Sequence, residues 1–163
     1  MQAVLIIGAV VILILAVVSK SQASTGSLDF MSVPSGSLNP SSGVQAMAQA
    51  IASAEGFYVP GSIPARAHNP GDLTEGDFGD TGIYLTSSSG AKIIVYASDQ
   101  DGWNALYEKL QNIANGTSSV YSPDMTIQQF ANTWTSTQQS SWAENVASSI
   151  GADINSVIGG LLG

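Results

Sequence analysis

The residue best suited to chemistry in this sequence is Glu55, which ends an otherwise apolar stripe. Val44, Met47, Ala48 and Ile51 precede it at intervals of three and four residues, the spacing of one face of a helix. A carboxylate at the end of such a face is directed at the core or at a cleft rather than at open water. Burial disfavours the charged form and raises the pKa, as a general acid that works near neutral pH requires.

A segment rich in glycine and proline follows this helix and closes on Asn69-Pro70-Gly71-Asp72. Proline restricts the backbone angles, and glycine permits angles that other residues avoid. We therefore expect a fixed turn here rather than a flexible linker.

The residue inventory excludes several kinds of catalytic site. The chain has one histidine, His68, and no cysteine, so the usual His- or Cys-rich zinc sites and cysteine nucleophiles are excluded. A Ser-His-Asp triad would depend on His68, and the sequence contains no Gly-x-Ser-x-Gly elbow. Carboxylate chemistry remains, and glycoside hydrolysis is one reaction that carboxyl groups catalyse.

No metal or other cofactor is expected. The loop from 74 to 81 carries Glu75, Asp77 and Asp80, and several oxygen ligands suit Ca²⁺. Their spacing does not match an EF-hand loop. A solvated acidic loop is therefore the favoured interpretation.

The quoted residues carry a resemblance to a known family. The helix ending in Ala-Glu-Gly-Phe (54–57), the segment Val-Pro-Gly-Ser-Ile-Pro-Ala-Arg (59–66) and Asn-Pro-Gly-Asp-Leu (69–73) resemble bacteriophage virion-associated lysozyme-like proteins. These proteins are similar to lytic transglycosylases. The Gly-Trp-x-Ala-Leu signature of that family is matched at 102–106, and the resemblance covers about residues 43–155.

The resemblance implies a peptidoglycan-cleaving site. In the family the residue equivalent to Glu55 is the catalytic acid, and the Asn-Pro-Gly turn lines the sugar cleft. This chain departs from the family pattern at His68 and Asp72, where the family commonly carries Asn. Tyrosines near the site either stack on sugar rings or lie at the edge of the core. The candidate substrate-binding residues are His68, Asn69, Asp72, Tyr58 and Tyr96.

The charge balance argues against a nucleic acid partner. The formal net charge is −8, and the chain has only four basic residues. Such a chain cannot neutralise a run of phosphates.

The first residues predict a membrane anchor. Residues 3–18 carry no charged side chain, and as a helix they measure about 24 Å, close to the roughly 30 Å of a hydrocarbon layer. A cleaved signal peptide would have a basic residue before the apolar run, and none is present. We expect a retained single transmembrane helix over residues 1–19, and a buried core helix is the alternative.

The predicted domain organisation is an anchor, a tether and one domain. Residues 20–42 are rich in Ser, Gly and Pro and read as a flexible tether. Residues 43–163 are expected to form a mainly α, lysozyme-like α+β domain with one small β-hairpin near 83–96.

Further helices are predicted from residues that are typical of helix N-termini. Asp99 or Asp101 caps the first, Thr126–Gln129 forms a capping box for the second, and Ser141–Glu144 forms a box for the third. A short helix is expected from Asp153 to Leu162, with an apolar, buried side formed by Ile154, Val157, Ile158 and Leu161. The three tryptophans, which fall within these helices, are assigned to the core: Trp103, Trp134 and Trp142.

Two functions from different classes remain open. The first is a membrane-anchored muramidase or lytic transglycosylase with Glu55 as general acid. The second is a non-catalytic structural or wall-binding protein of a membrane-containing virion. The expected partners are glycan strands of peptidoglycan, a lipid membrane through residues 3–18 and other virion proteins. The expected location is a virion internal membrane or the host cell envelope, as a single-pass membrane protein.

The anchor makes a first prediction. We expect the full chain to partition with detergent or lipid, and a truncated chain that begins near Ser42 to be soluble and folded, because the tether separates the two parts. Phase partition of both chains checks this. Recovery of the full chain in the aqueous phase without detergent would contradict it.

Overall fold

The computed structural model describes residues 40–163, so the predicted anchor and nearly all of the tether lie outside the described residues. Within this range the chain forms six helices and one antiparallel sheet of two strands. The predicted α+β class with a small hairpin is confirmed. No helix in this part of the chain is long and apolar enough to cross a membrane. The elements are α1 Ser42–Ala54, α2 Ile63–Arg66, β1 Tyr84–Thr86, β2 Lys92–Ile94, α3 Asp99–Ala114, α4 Ile127–Trp134, α5 Gln139–Ser149 and α6 Ile158–Leu162.

Helix α1 lies at the centre of the helical packing. It contacts α3, α5 and α6, and its predicted apolar stripe is fully buried. The hydroxyl of Ser41 accepts a hydrogen bond from the Val44 amide and donates one to the Leu162 carbonyl at 2.6 Å. Ser41 therefore caps α1 and also joins it to the last helix.

The main hydrophobic core lies between the helices. Every helix except the short α2 supplies side chains to it. Its largest members that are almost fully buried come from α1, α3, α4 and α6: Met47, Ile51, Leu106, Leu110, Ile113, Ile127, Phe130, Ile158 and Leu162.

A second, smaller cluster lies under the hairpin. Tyr84 pairs with Ile94 and Thr86 with Lys92 across the two strands. The cluster contains Leu73, Ile94, Tyr96 and Ala105. Trp134 packs against both clusters, so one side chain from α4 joins the helical part to the hairpin.

Several predicted helix ends need correction. Ser98, rather than Asp99 or Asp101, caps α3, because its hydroxyl accepts from the Asp101 amide. The two aspartates lie in the first turn instead, where their charge complements the helix dipole. Helix α5 begins before the predicted box, after Gln138, and has no side-chain cap.

The end of the chain also differs from the prediction. Only Ile158–Leu162 is helical, and Val157 is 46% exposed rather than on the buried side. The capping box at Thr126 and Gln129, by contrast, is confirmed.

The Asn69–Gly71 turn lies directly against α3. A Cβ atom at Gly102 would lie 1.9 Å from the His68 carbonyl oxygen and 2.8 Å from a ring carbon of Pro70. Only glycine lets the two backbones approach this closely. The Tyr96 amide also donates to the Ala67 carbonyl, so the turn is held by α3 on one side and by the chain after β2 on the other.

This contact makes a prediction about stability. We expect Gly102→Ala to lower the free energy of unfolding by about 1–3 kcal/mol or more, because the added methyl group forces backbone apart. Gly160→Ala is the matched control, since no atom lies within 4 Å of its added Cβ; it should be neutral or slightly stabilising. Urea unfolding of both variants checks this, and equal effects would show that the close approach is unimportant.

Candidate active site

Glu55 lies at the C-terminal end of α1, where the chain turns away. Its amide donates to the Ile51 carbonyl at 2.8 Å, and the next residue, Gly56, has a left-handed φ of 76°. Glycine is the residue that adopts this conformation without strain. The carboxyl group is therefore held at the end of a rigid helix, half-buried at the wall of a cleft.

Two tryptophans donate hydrogen bonds to the same oxygen of Glu55. The indole Nε1 of Trp134 lies 3.0 Å from Oε1, and that of Trp142 lies 2.9 Å from it. The planes of the two rings are inclined by 28°, with ring centroids 6.2 Å apart. In the described part of the chain no group donates to Oε2. Oε2 is therefore the oxygen that carries the proton when Glu55 is neutral.

The environment of Glu55 favours its neutral form. Burial, with a smaller contribution from the charge of Asp72, raises the pKa of Glu55 to about 7. The hydrogen bonds from Trp142 and Trp134 oppose this rise in pKa because they stabilise the carboxylate. Near neutral pH the group is thus present in both forms, so it can give a proton and take one back.

The helices α4 and α5 place the two indoles. Trp134 is the last residue of α4, whose start is fixed by the Thr126–Gln129 capping box. Gln138 has a left-handed φ of 51° and leads into α5, on whose buried face Trp142 lies. The turn between these helices and the end of α1 enclose a cleft of about 220 Å³. It is lined by Ala54, Glu55, Thr135, Thr137, Gln138, Ser141, Trp142 and Asn145.

Lys109 lies over the ring of Trp134 and is not among the residues that line this cleft. Its ammonium group is 4.8 Å from the centre of the Trp134 ring and 5.3 Å from that of Tyr121. It also pairs with Asp77 at 2.5 Å, and the side chain is only 11% exposed. A cation over an indole face is attracted by the ring electrons, so the ion pair fixes the ring that donates to Glu55.

The acidic loop is mostly exposed, as expected, but its carboxylates bind other groups of the protein. Asp77 forms an ion pair with Lys109 and accepts a hydrogen bond from the Thr74 amide. Asp80 accepts from the amides of residues 76 and 82 and from the Tyr84 hydroxyl. Glu75 pairs with Lys92 at the surface. Within residues 40–163 no group of three acidic or histidine side chains is arranged to hold a metal ion.

Asn69 is a structural part of the turn in this conformation. It is fully buried, and its side-chain amide donates to the carbonyls of Leu73 and Ile94, both at 2.9 Å. Its oxygen accepts from the Leu73 amide at 2.8 Å. The side chain presents no surface to a ligand, and a contact between Asn69 and sugar stays a prediction.

The other predicted sugar contacts lie in different surroundings. His68 has a left-handed φ of 53°, and its Nδ1 lies 2.6 Å from an oxygen of Asp99 in a half-exposed pair. Tyr58 is 59% exposed, three residues beyond Glu55. Tyr96 is 3% exposed and donates its hydroxyl to the Phe78 carbonyl at 2.6 Å, so most of its ring lies in the core under the hairpin.

Of the residues predicted to bind sugar, Asp72 is the one whose charge affects Glu55. Burial raises the pKa of Asp72 to about 6, and its charge in turn raises that of Glu55. Its Oδ1 is buried without a hydrogen-bond partner among the described residues. The charge of Asp72 therefore acts on Glu55, although Asp72 is not among the residues that line the cleft.

Sequence reasoning missed the roles of Trp134, Trp142 and Lys109. The tryptophans were assigned to the core, and they do pack against it. That assignment did not consider which groups accept hydrogen bonds from their indole N–H groups. An indole N–H only donates and needs an acceptor when it is buried. A carboxylate at the end of an apolar helix face is a strong acceptor. The need of a buried indole N–H for such an acceptor could therefore have indicated a contact with Glu55. Nothing in the spacing indicated Lys109.

Comparison with known proteins adds no relative. No family model matches the chain, and neither the curated proteins nor the solved structures include a significant match. The resemblance to lysozyme-like virion proteins therefore rests on the short segments quoted above. The chemistry proposed below is argued from the geometry around Glu55.

The raised pKa of Glu55 makes stability depend on pH. Its ordinary pKa of 4.5 applies to the unfolded chain and about 7 to the folded one, so the folded state binds the extra proton. The stability that this proton confers is complete below pH 4.5 and is lost as the pH rises through about 7.

We expect the free energy of unfolding of the wild type to fall between these pH values by up to about 1.4 kcal/mol per pH unit for this group. Glu55→Gln should make the profile shallower, with the residual slope below about pH 6 coming from Asp72. Urea unfolding at several pH values measures this. Glu144→Gln, at an exposed position of α5, is the control; equal slopes in all three proteins would contradict the assignment.

Proposed function

We propose that this chain is a peptidoglycan-cleaving glycosidase, a muramidase or lytic transglycosylase, with Glu55 as its general acid. The observation that supports this best is a half-buried carboxyl group at a cleft, with two indole donors on one oxygen and the other oxygen free of them. Its pKa of about 7 is suited to proton transfer near neutral pH. The lysozyme-like fold and the phage virion origin belong to the same proposal, through the resemblance in sequence.

The proposed first step is protonation of the leaving oxygen. Oε2 of Glu55 gives its proton to the glycosidic oxygen between N-acetylmuramic acid and N-acetylglucosamine. The bond from this oxygen to the muramoyl C1 then breaks, and the electron pair stays on the oxygen. Positive charge develops on the sugar ring, while the indole N–H groups of Trp134 and Trp142 stabilise the carboxylate that forms at Glu55.

The second step needs a nucleophile and a base. If the muramoyl 6-hydroxyl attacks C1, the Glu55 carboxylate takes its proton and a 1,6-anhydro product forms. If water attacks, the product has a reducing end. The first route needs only one carboxyl group, and either route returns the site to its starting state.

The rest of the chain is proposed to bring this site to its substrate. Residues 1–19 would anchor the protein in a virion internal membrane or the host cell envelope, and residues 20–42 would form the tether. Glycan strands are the proposed partner of the site, with exposed Tyr58 and His68 as the accessible sugar contacts. Other virion proteins are further proposed partners.

The size of the cleft favours a second candidate function. Ligand pockets are commonly about 300–1,000 Å³ in volume, whereas the cleft at Glu55 measures about 220 Å³. A non-catalytic structural or wall-binding protein of a membrane-containing virion would not need a larger one. In that case the Glu55–tryptophan contact would serve only to join α1, α4 and α5.

Substitution of Glu55 separates the two functions. Glu55→Gln keeps the side-chain shape but cannot transfer the proton, so release of soluble muropeptides from purified sacculi should fall by about two to four orders of magnitude. The full chain in detergent micelles is compared with this variant and with Glu144→Gln as control, by chromatography and mass spectrometry.

Binding to sacculi, measured by co-sedimentation, should persist in Glu55→Gln because no contact to the glycan is removed. Equal release by the wild type and Glu55→Gln would reject Glu55 as the acid. No release by any of the three proteins, with binding intact, would favour the structural or wall-binding function.

A further inference from the structure

Lys109, on α3, is a buried cation whose place in the fold calls for an explanation. The residue is 9% exposed, and no other charged residue in the described part of the chain is as buried. It pairs with Asp77. Removal of charges from water costs free energy, and replacement of a buried ion pair by apolar side chains is often neutral or stabilising. The ion pair with Asp77 therefore does not by itself account for a lysine at this position.

The ammonium group of Lys109 lies between a carboxylate and two aromatic rings. It is 4.8 Å from the ring centre of Trp134 and 5.3 Å from that of Tyr121. Burial raises the pKa of Tyr121 to about 12, so this ring is uncharged. Trp134 in turn donates to Oε1 of Glu55 at 3.0 Å. The Asp77 carboxylate, the ammonium, the indole and the Glu55 carboxyl group thus contact one another in series.

A cation over an indole changes the hydrogen bond that the indole donates. The ammonium group draws ring electrons toward itself, so the N–H bond becomes more polar and donates more strongly. The contact also opposes rotation of the ring. Trp142 is a comparison within the same site, because it donates to the same oxygen at 2.9 Å and no cation lies over its ring among the described residues.

The other groups that face Glu55 have separate effects on it. Trp134 and Trp142 face it from α4 and α5, and the charge of Asp72 acts on it from the turn before the hairpin. Lys109 does not line the cleft at Glu55, so its effect on Glu55 passes through the Trp134 ring. A stronger indole donor stabilises the carboxylate and not the neutral acid. Lys109 therefore opposes the effects of burial and of Asp72.

We propose that Lys109 is a positioning residue for Glu55. Its charge holds and polarises the Trp134 indole, and it thereby sets the pH range over which Glu55 gives up its proton. The consequence for catalysis rests on the proposed glycosidase function, whereas the control of the Glu55 proton does not. The two are therefore tested by separate measurements.

NMR titration of the full chain in detergent micelles tests the control of the proton. The chain has only four glutamates: Glu55, Glu75, Glu108 and Glu144. With ¹³C in the glutamate carboxyl groups, the Glu55 signal is the one that Glu55→Gln removes. Its chemical shift against pH gives the pKa of Glu55, and the ¹⁵N-labelled indoles report the two donors.

The test variant carries Lys109→Met together with Asp77→Asn, so that no charge is left unpaired. We expect the pKa of Glu55 to rise by about 0.5–1 pH unit, because the Trp134 donor is weakened. The indole signal of Trp134 should move, and that of Trp142 should move much less. If this variant does not fold, Lys109→Gln with Asp77→Asn replaces it, since two amides can keep the hydrogen bond.

Two further variants serve as rescue and control. Lys109→Arg keeps the charge, and the cavity of about 360 Å³ that Lys109 lines leaves room for the larger group; the pKa of Glu55 should stay near that of the wild type. Lys92→Met with Glu75→Gln is the matched control. Lys92 also pairs with an acidic-loop residue and lies 5.3 Å from the ring centre of Tyr84, but it does not contact Trp134.

A Trp134→Phe background separates the effect of the ring from a direct effect of charge. Without the indole N–H, the test variant should cause no further rise in the pKa of Glu55. An equal rise in this background would overturn the proposal, as would an unchanged pKa of Glu55 in the folded test variant. If Trp134→Phe does not fold, equal movement of the Trp134 and Trp142 indole signals in the test variant is the overturning result.

The pH dependence of muropeptide release from purified sacculi tests the consequence for catalysis. A general acid must be protonated, so release should fall as the pH rises through about 7, the pKa of Glu55. In the test variant this fall should move to higher pH, and maximal release should be about three- to tenfold lower because Glu55 is a weaker acid. No release by the wild type would overturn the glycosidase function, and the NMR titration would still decide the role of Lys109.

Discussion

The two indole N–H groups that meet on one oxygen of Glu55 are the interaction on which the site depends. They join the end of α1 to the end of α4 and to the buried face of α5. A hydrogen bond to a charged group is worth roughly 1.5–3 kcal/mol, which favours the carboxylate. Burial favours the neutral acid more strongly, because the pKa is raised in spite of both bonds. The site thus holds a carboxyl group in a fixed orientation and close to the midpoint of its titration at neutral pH.

Trp134 transmits this constraint to the rest of the domain. It packs against the helical core and against the cluster under the hairpin, and Lys109 lies over its face. Cation–π contacts are worth about 0.5–2 kcal/mol, with the larger values in desolvated sites such as this one. Because Lys109 is itself paired with Asp77, the acidic loop before the hairpin helps to orient a donor to Glu55. The acidic loop, which the sequence predicts to be solvated, therefore supplies the carboxylate of a partly buried ion pair.

The Asn-Pro-Gly turn has a structural role in the fold, besides the sugar contact that the resemblance predicts for it. Asn69 holds the turn from inside, and Gly102 lets α3 lie against its backbone. Asp72, at the end of the turn, acts on Glu55 through its charge. The Gly-Trp-x-Ala-Leu segment and the Asn-Pro-Gly segment are thus two halves of one contact in the fold.

The sequence by itself determined the elements whose signals are local. The stripe of α1, the capping box at Thr126, the hairpin near 83–96 and the position of Glu55 at a helix end were all predictable, because each depends on residues a few positions apart. The tertiary structure alone decided the partners of Glu55, which lie 79 and 87 residues further along the chain. It also decided that Asn69 and Tyr96 are buried and that Lys109 lies over Trp134. These contacts arise where helices from distant parts of the chain pack together, and no periodicity in the sequence records which side chains then meet.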